Sequence, residues 1–111
     1  MDINNPWGDR DPQEAEALKC LVDAEACLGE AMLNDSIDMY SMALELSVRV
    51  LDYFPQCTIA HYFAGLSSLR ANGDKKFAMQ KCELLQSNES EDAHILAKRL
   101  KAEIDKNKAG R

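Results

Sequence analysis

The sequence predicts an all-α fold of about five antiparallel helices. Three observations carry that expectation. Apolar residues recur at three- and four-residue steps along most of the 111-residue chain, the spacing of one helical face. No segment alternates apolar and polar residues in the manner of a half-buried strand. The gaps between the periodic stretches are short and carry turn formers such as Pro55, Gly73 and Asn88, so consecutive helices must run antiparallel.

Each element has its own signals. Residues 1–10 are polar apart from a few positions around Trp7 and read as a flexible arm. Asp11-Pro12-Gln13-Glu14 places a cap, a first-turn proline and a capping-box acid in succession. The first helix then spans about 12–33, with Leu18, Leu21, Ala24, Leu28 and Met32 inward and Cys20, Cys27 and Ala31 beside them. Asn34-Asp35-Ser36 ends it and offers a new cap. The second helix, about 37–54, confines its polar residues to one stripe, Asp38, Ser41, Glu45, Arg49 and Asp52. Being apolar around most of its circumference, it is expected at the centre of the fold. Pro55 stops it.

The third helix, about 58–71, presents Ile59, Tyr62, Phe63, Leu66 and Leu69, and Asn72-Gly73-Asp74 supplies a stop, a turn and a cap. The fourth, about 75–86, turns Phe77, Ala78, Cys82 and Leu85 inward, and Ser90 caps the fifth. That last helix, about 91–106, has only one apolar side, formed by Leu96, Ala97, Leu100 and Ile104, which suits an element closing the end of a stack. Residues 107–111 read as a flexible tail.

Composition narrows the function. Hydrophobic residues at 46% and charged residues at 29% are those of a folded domain rather than a disordered chain. Nineteen acids against 13 Lys and Arg give −6, which argues against nucleic acid and anionic membrane as whole-surface partners. The excess is polarised. Asp2, Asp9, Asp11, Glu14, Glu16, Asp23, Glu25 and Glu30 face only Arg10 and Lys19 in residues 1–30, whereas the last helix and tail are Lys-rich. No stretch of about 20 apolar residues is present, and residues 1–7 lack the basic start and apolar stretch of a secretory signal. A cytoplasmic location with Cys20, Cys27, Cys57 and Cys82 reduced is the expectation.

The segment from Ala60 through Gly65, Gly73 and Asp74 to Ala78 resembles a tetratricopeptide repeat. In that family a small residue follows an aromatic in the first helix, a Gly-Asp turn comes next, and a small residue lets the second helix approach. A fainter upstream copy has Leu28-Gly29 as the first-helix pair, Ala43 as the small residue and Phe54-Pro55 as the ending. The resemblance covers about 18–88 and makes residues 11–106 one helical repeat domain with a carboxyl-terminal capping helix. An ordinary antiparallel bundle uses the same hairpins and turns and stays open as the alternative.

The repeat reading implies a groove lined by the first helix of each hairpin. With Gly29 and Gly65 as equivalent positions, the resemblance places Asp23, Glu30 and Asn34, then Tyr62, Leu66 and Arg70, along it. A mixed acidic and aromatic surface of this kind suits an amphipathic or basic segment. The basic and asparagine set of the tetratricopeptide domains that clamp chaperone carboxyl tails is missing from these positions.

No residue pattern points to catalysis. Cys57 and His61 lie one helical turn apart and Cys20 and Cys27 two, a conceivable zinc set. No Cys-x-x-Cys pair occurs, however, and these positions fall on apolar faces, where free cysteines pack as core. Neither His61 nor His94 accompanies a cysteine-nucleophile signature, and no phosphate-cradling glycine motif exists. The sequence therefore predicts a non-enzymatic protein- or peptide-binding adaptor without metal or cofactor, with homodimerisation through the apolar second helix a further expectation. The alternative is a dedicated chaperone or immunity-type inhibitor masking a basic protein. Trp7 has two readings, docking on a protein surface or lying exposed in the arm.

Overall fold

A computed structural model describes residues 12–109, with side chains described for 12–106. The expected arm at 1–10 with Trp7, the cap at Asp11 and residues 110–111 of the expected tail lie outside them. Five helices follow one another: α1 (Pro12–Asn34), α2 (Ile37–Tyr53), α3 (Thr58–Asn72), α4 (Lys75–Gln86) and α5 (Glu91–Ala109). The fold is all-α. Helix α5 continues three residues beyond the boundary expected from its apolar pattern, since nothing in Asn107-Lys108-Ala109 breaks a helix.

Local chemistry sets the boundaries. Asp35 turns the chain in the left-handed region at φ 51°, a conformation Asp tolerates better than most residues. Ser36 then caps α2, its side chain accepting from the Met39 N–H at 3.3 Å. Helix α3 ends at Gly73, left-handed at φ 66°, whose N–H reaches back to the Leu69 carbonyl. Asp74 caps α4 by accepting from the Phe77 N–H at 3.0 Å. Before α5, Asn88 Oδ1 accepts from the Ser90 N–H at 2.8 Å, and the Ser90 carbonyl opens the helix by accepting from the His94 N–H.

Each helix packs on the next in sequence, and α3 also touches α1 and α5. The odd-numbered helices thus share one layer, with α2 and α4 apart in a second. Helices α3 and α5 run in the same direction: Ile59 lies near Ile95 across one hollow, and Arg70 pairs with Glu103 at their other ends.

Helix α3, rather than the expected α2, is the centre. All residues from Phe63 to Leu69 are buried, and α3 packs against all four other helices while α2 meets only α1 and α3. The reason is size more than hydrophobicity. Ala60, Ala64, Gly65, Ser67 and Ser68 let neighbours approach α3 from every side, whereas Ile37, Met42 and Val48 of the more apolar α2 stand exposed.

The main core draws on every helix, with Leu28, Tyr40, Phe63, Leu85 and Leu100 among its larger members. A smaller cluster joins Cys20, Val50 and Ala60. Alanines fill many of the contact positions: Ala24, Ala31, Ala43, Ala64, Ala78 and Ala93 are fully buried. The inward stripe of α1 runs through Ala17, Cys20, Ala24, Leu28 and Ala31; Met32, expected inward, stands outside at 59% exposure.

Candidate functional site

The candidate site lies at the end of the molecule where the odd helices begin and α2 and α4 finish. Pro55 halts α2 and forces the chain around the turn at 55–57. Cys57 N–H closes this turn onto the Phe54 carbonyl at 3.1 Å. His61 pins it from α3, its Nε2 donating to the Pro55 carbonyl at 2.7 Å, while its Nδ1 accepts from Lys81 Nζ of α4 at 3.2 Å. The Lys81 bond requires the neutral imidazole, since Nδ1 accepts only when it carries no proton. Burial lowers the His61 pKa most, the Pro55 bond raises it, and the Lys81 charge lowers it again. Burial also lowers that of Lys81, whose ammonium sits 5.1 Å from the Phe77 ring centre.

This braced turn separates two hollows. The first, about 550 Å³, is walled by Leu18 and Leu21 of α1, Val50 of α2 and the Phe54-Pro55 corner. The second, about 620 Å³, lies between Ile59 of α3 and Ile95, Leu96 and Arg99 of α5. Gln56 and Cys57 border both. Phe54, Ile59 and Ile95 keep 40%, 40% and 49% of their surface in water, so the two hollows form one cleft with apolar edges. Volumes of this size are those of sites that take side chains or small ligands.

The residues expected to line a groove fall into two separate groups. Asp23, Glu30 and Asn34 are exposed on α1. Asn34 Nδ2 donates to the Glu30 carbonyl at 3.1 Å, a bond within the helix end. Asp23 and Glu30 flank Cys27, whose thiol is pushed up by burial first and by these two charges second. On α3, Arg70 is exposed and bonded to Glu103, which Lys106 also approaches at 3.8 Å. Tyr62 is half-buried beside this charged group. Burial pushes its phenol up, with smaller opposing effects from Arg99 and Glu103. Among the described residues no hydrogen bond or ion pair joins the α1 group to the α3 group.

Leu66 requires correction. It is 3% exposed and belongs to the core, because the residues around it on α3 are enclosed as well. The equivalence of Gly29 and Gly65 fails too. A Cβ at Gly29 would meet nothing within 4 Å, whereas one at Gly65 would lie 2.8 Å from Leu100 Cδ2 and 3.2 Å from Lys81 Cβ. Gly65 therefore sits at a close crossing of α3 with α4 and α5, and Gly29 faces open space.

The cleft was not found from the sequence, although Phe54-Pro55 marks its corner. The four cysteines are free thiols; Cys20 is core, and Cys82 Sγ donates to the Ala97 carbonyl at 3.4 Å. Among the described residues no three His, Cys, Asp or Glu side chains converge on a point that would hold a metal ion, and no helix is long and apolar enough to cross a membrane. No family model, curated protein or solved structure matches this chain.

Proposed function

We propose that the chain is a non-enzymatic protein- or peptide-binding adaptor of the cytoplasm. The observation that carries this reading is the cleft, where large apolar side chains stand in water on both sides of a turn pinned by His61 of α3, itself bonded to Lys81 of α4. Exposed apolar surface grouped around a concavity is the usual mark of a binding site. The resemblance to stacked tetratricopeptide hairpins belongs to the same proposal. It is supported by the contacts between alternate helices, α1 with α3 and α3 with α5, and by the separation of α2 from α4.

A dedicated chaperone or immunity-type inhibitor of a basic protein is the second reading, favoured by the net charge of −6. The two differ in how they hold a partner. An adaptor binds short segments at micromolar strength, near −8 kcal/mol, while an inhibitor holds one folded partner with a steeply salt-dependent association rate. Self-association through α2 would use Ile37, Met42 and Val48, which stand exposed on it, and shows as a concentration-dependent sedimentation coefficient.

The test is recovery of the tagged full chain after cross-linking in its native cells, with partners read by mass spectrometry. A partner held by the wild type and lost from a Phe54→Ser, Ile95→Ser double variant supports the adaptor reading. A chain that elutes alone, with no protection of the α2–α3 turn from hydrogen exchange in lysate, rejects it.

A further inference from the structure

The first hollow has an occupant within reach on the same chain. Its walls, which include Leu18, Leu21, Val50, Phe54 and Pro55, contain no charged residue among the described ones. A charged group placed there would lose its water without gaining a partner, so the hollow selects an uncharged, apolar side chain. The second hollow differs, because Asp92 and Arg99 stand in its wall.

Just upstream of α1 the sequence supplies such a side chain. Asn4-Asn5-Pro6-Trp7-Gly8 carries no charge, and Trp7 is the single tryptophan of the chain. It lies five residues before Pro12, the first residue of α1, and five residues of chain reach up to about 17 Å. Along α1, Ala17 and Leu21 of the hollow stand only about 8 and 14 Å from Pro12. A recess of about 140 Å³ between Gln13, Glu14, Tyr53 and Phe54 marks the way back, and it shares Phe54 with the hollow. The residue before a proline is disfavoured in the helical region, so the sequence favours a chain that leaves the axis of α1 at Pro12 over one that prolongs the helix.

We propose that Trp7 packs into the first hollow, against Leu18, Leu21, Val50 and Phe54, so that the chain's own segment upstream of α1 covers this half of the cleft. The indole brings a large apolar surface and one N–H that needs an acceptor, and Gln56 at the hollow carries an amide oxygen able to accept it. The short tether holds the ring near the hollow at an effective concentration on the order of millimolar. A contact too weak to retain a free peptide is therefore still filled. The proposal does not depend on the adaptor reading and goes beyond it: a partner meets the second hollow directly, and the first only by displacing Trp7.

Fluorescence of the full chain tests it, since Trp7 is the only tryptophan. Native emission is expected at shorter wavelength than in the urea-unfolded chain, with acrylamide quenching at least about threefold weaker, as for a ring packed against protein. Nuclear Overhauser contacts from the indole protons should reach the methyl groups of Leu18, Leu21 and Val50. Phe54→Ser and Leu18→Ser, each at a side chain that is not fully buried, should move emission and quenching most of the way to the unfolded values. Ile95→Ser, in the second hollow, should leave both unchanged, and dilution should have no effect on the wild type.

Quenching equal to that of the unfolded chain would overturn the proposal. So would indole contacts to residues outside the first hollow, or protection that Ile95→Ser abolishes and Phe54→Ser does not. Protection that disappears on dilution would make the occupant a second copy and overturn it equally. The Overhauser measurement needs no substitution, so a variant that fails to fold leaves the test intact. Recovery of a partner by cross-linking is a separate readout: its failure removes the adaptor reading and leaves the Trp7 contact standing, and exposure of Trp7 does the reverse.

Discussion

Replacing each of the two helical glycines by alanine should give opposite results. At Gly29 the added Cβ meets nothing within 4 Å, so only the backbone matters. Alanine restricts the unfolded chain more than glycine does, and Gly29→Ala should stabilise the fold by about 0.5–1 kcal/mol. At Gly65 the same gain is available, but the new Cβ would lie 2.8 Å from Leu100 Cδ2 and 3.2 Å from Lys81 Cβ. Leu100 is fully buried, so its side chain shifts only against other core groups. Lys81 presents the root of its side chain, which moves only with α4. Overpacking of this kind costs about 1–3 kcal/mol, leaving Gly65→Ala destabilised by about 1–2 kcal/mol after the backbone gain. Urea unfolding followed by circular dichroism measures both, and an unchanged slope would show that the transition is comparable. In thermal unfolding, each kcal/mol should appear as about 4–8 °C for a domain near this size. A Gly65→Ala variant as stabilised as Gly29→Ala would refute the close crossing of α3 with α5. A loss of stability at Gly29 would mean that something covers that face.

Two further outcomes are expected. Ser67 Oγ is buried with no hydrogen-bond partner among the described residues, so Ser67→Ala should stabilise the fold by about 1 kcal/mol in the same urea assay; a loss of that size would mean that the hydroxyl is satisfied. His61 gives a pH dependence of known sign. Its folded pKa is lowered from 6.5, mainly by burial, so the unfolded chain holds the proton more tightly. Stability from neutral His61 is therefore full above about pH 6.5 and is lost as pH falls from there through the folded value. An NMR titration should place His61 below the value in the urea-unfolded chain, and His61→Gln should show a smaller loss of urea midpoint between pH 8 and pH 5 than the wild type. A raised folded pKa would refute the bonding of neutral His61 to both Pro55 and Lys81.

The order and extent of the helices were legible in the sequence because their causes are local. Ser36 and Asp74 cap the helices they precede, Pro55 stops α2, and Gly73 takes the left-handed conformation that ends α3. These are interactions within a few residues, and their signals lie within the same few residues of sequence. Hydrophobic spacing also identified Leu28, Phe63, Leu69, Leu85 and Leu100 as inward.

Which helix stands at the centre was decided by tertiary packing. Met42 and Val48 made α2 the more apolar helix in sequence yet stayed exposed, while Gly65, Ser67 and Ser68 were enclosed. Hydropathy measures what a side chain gains on burial, whereas access to a crowded crossing depends on volume, which only the neighbouring helices define. The cleft is non-local for the same reason: Leu18, Ile59 and Ile95 come from three helices and Phe54 from the turn after α2, and none is distinguished from a core residue by its own surroundings in the chain. The sequence by itself determined an acidic all-α chain of five helices joined by short turns. The tertiary structure decided that the α2–α3 turn separates two apolar hollows, because that placement depends on how the helices stack and not on the residues beside them in sequence.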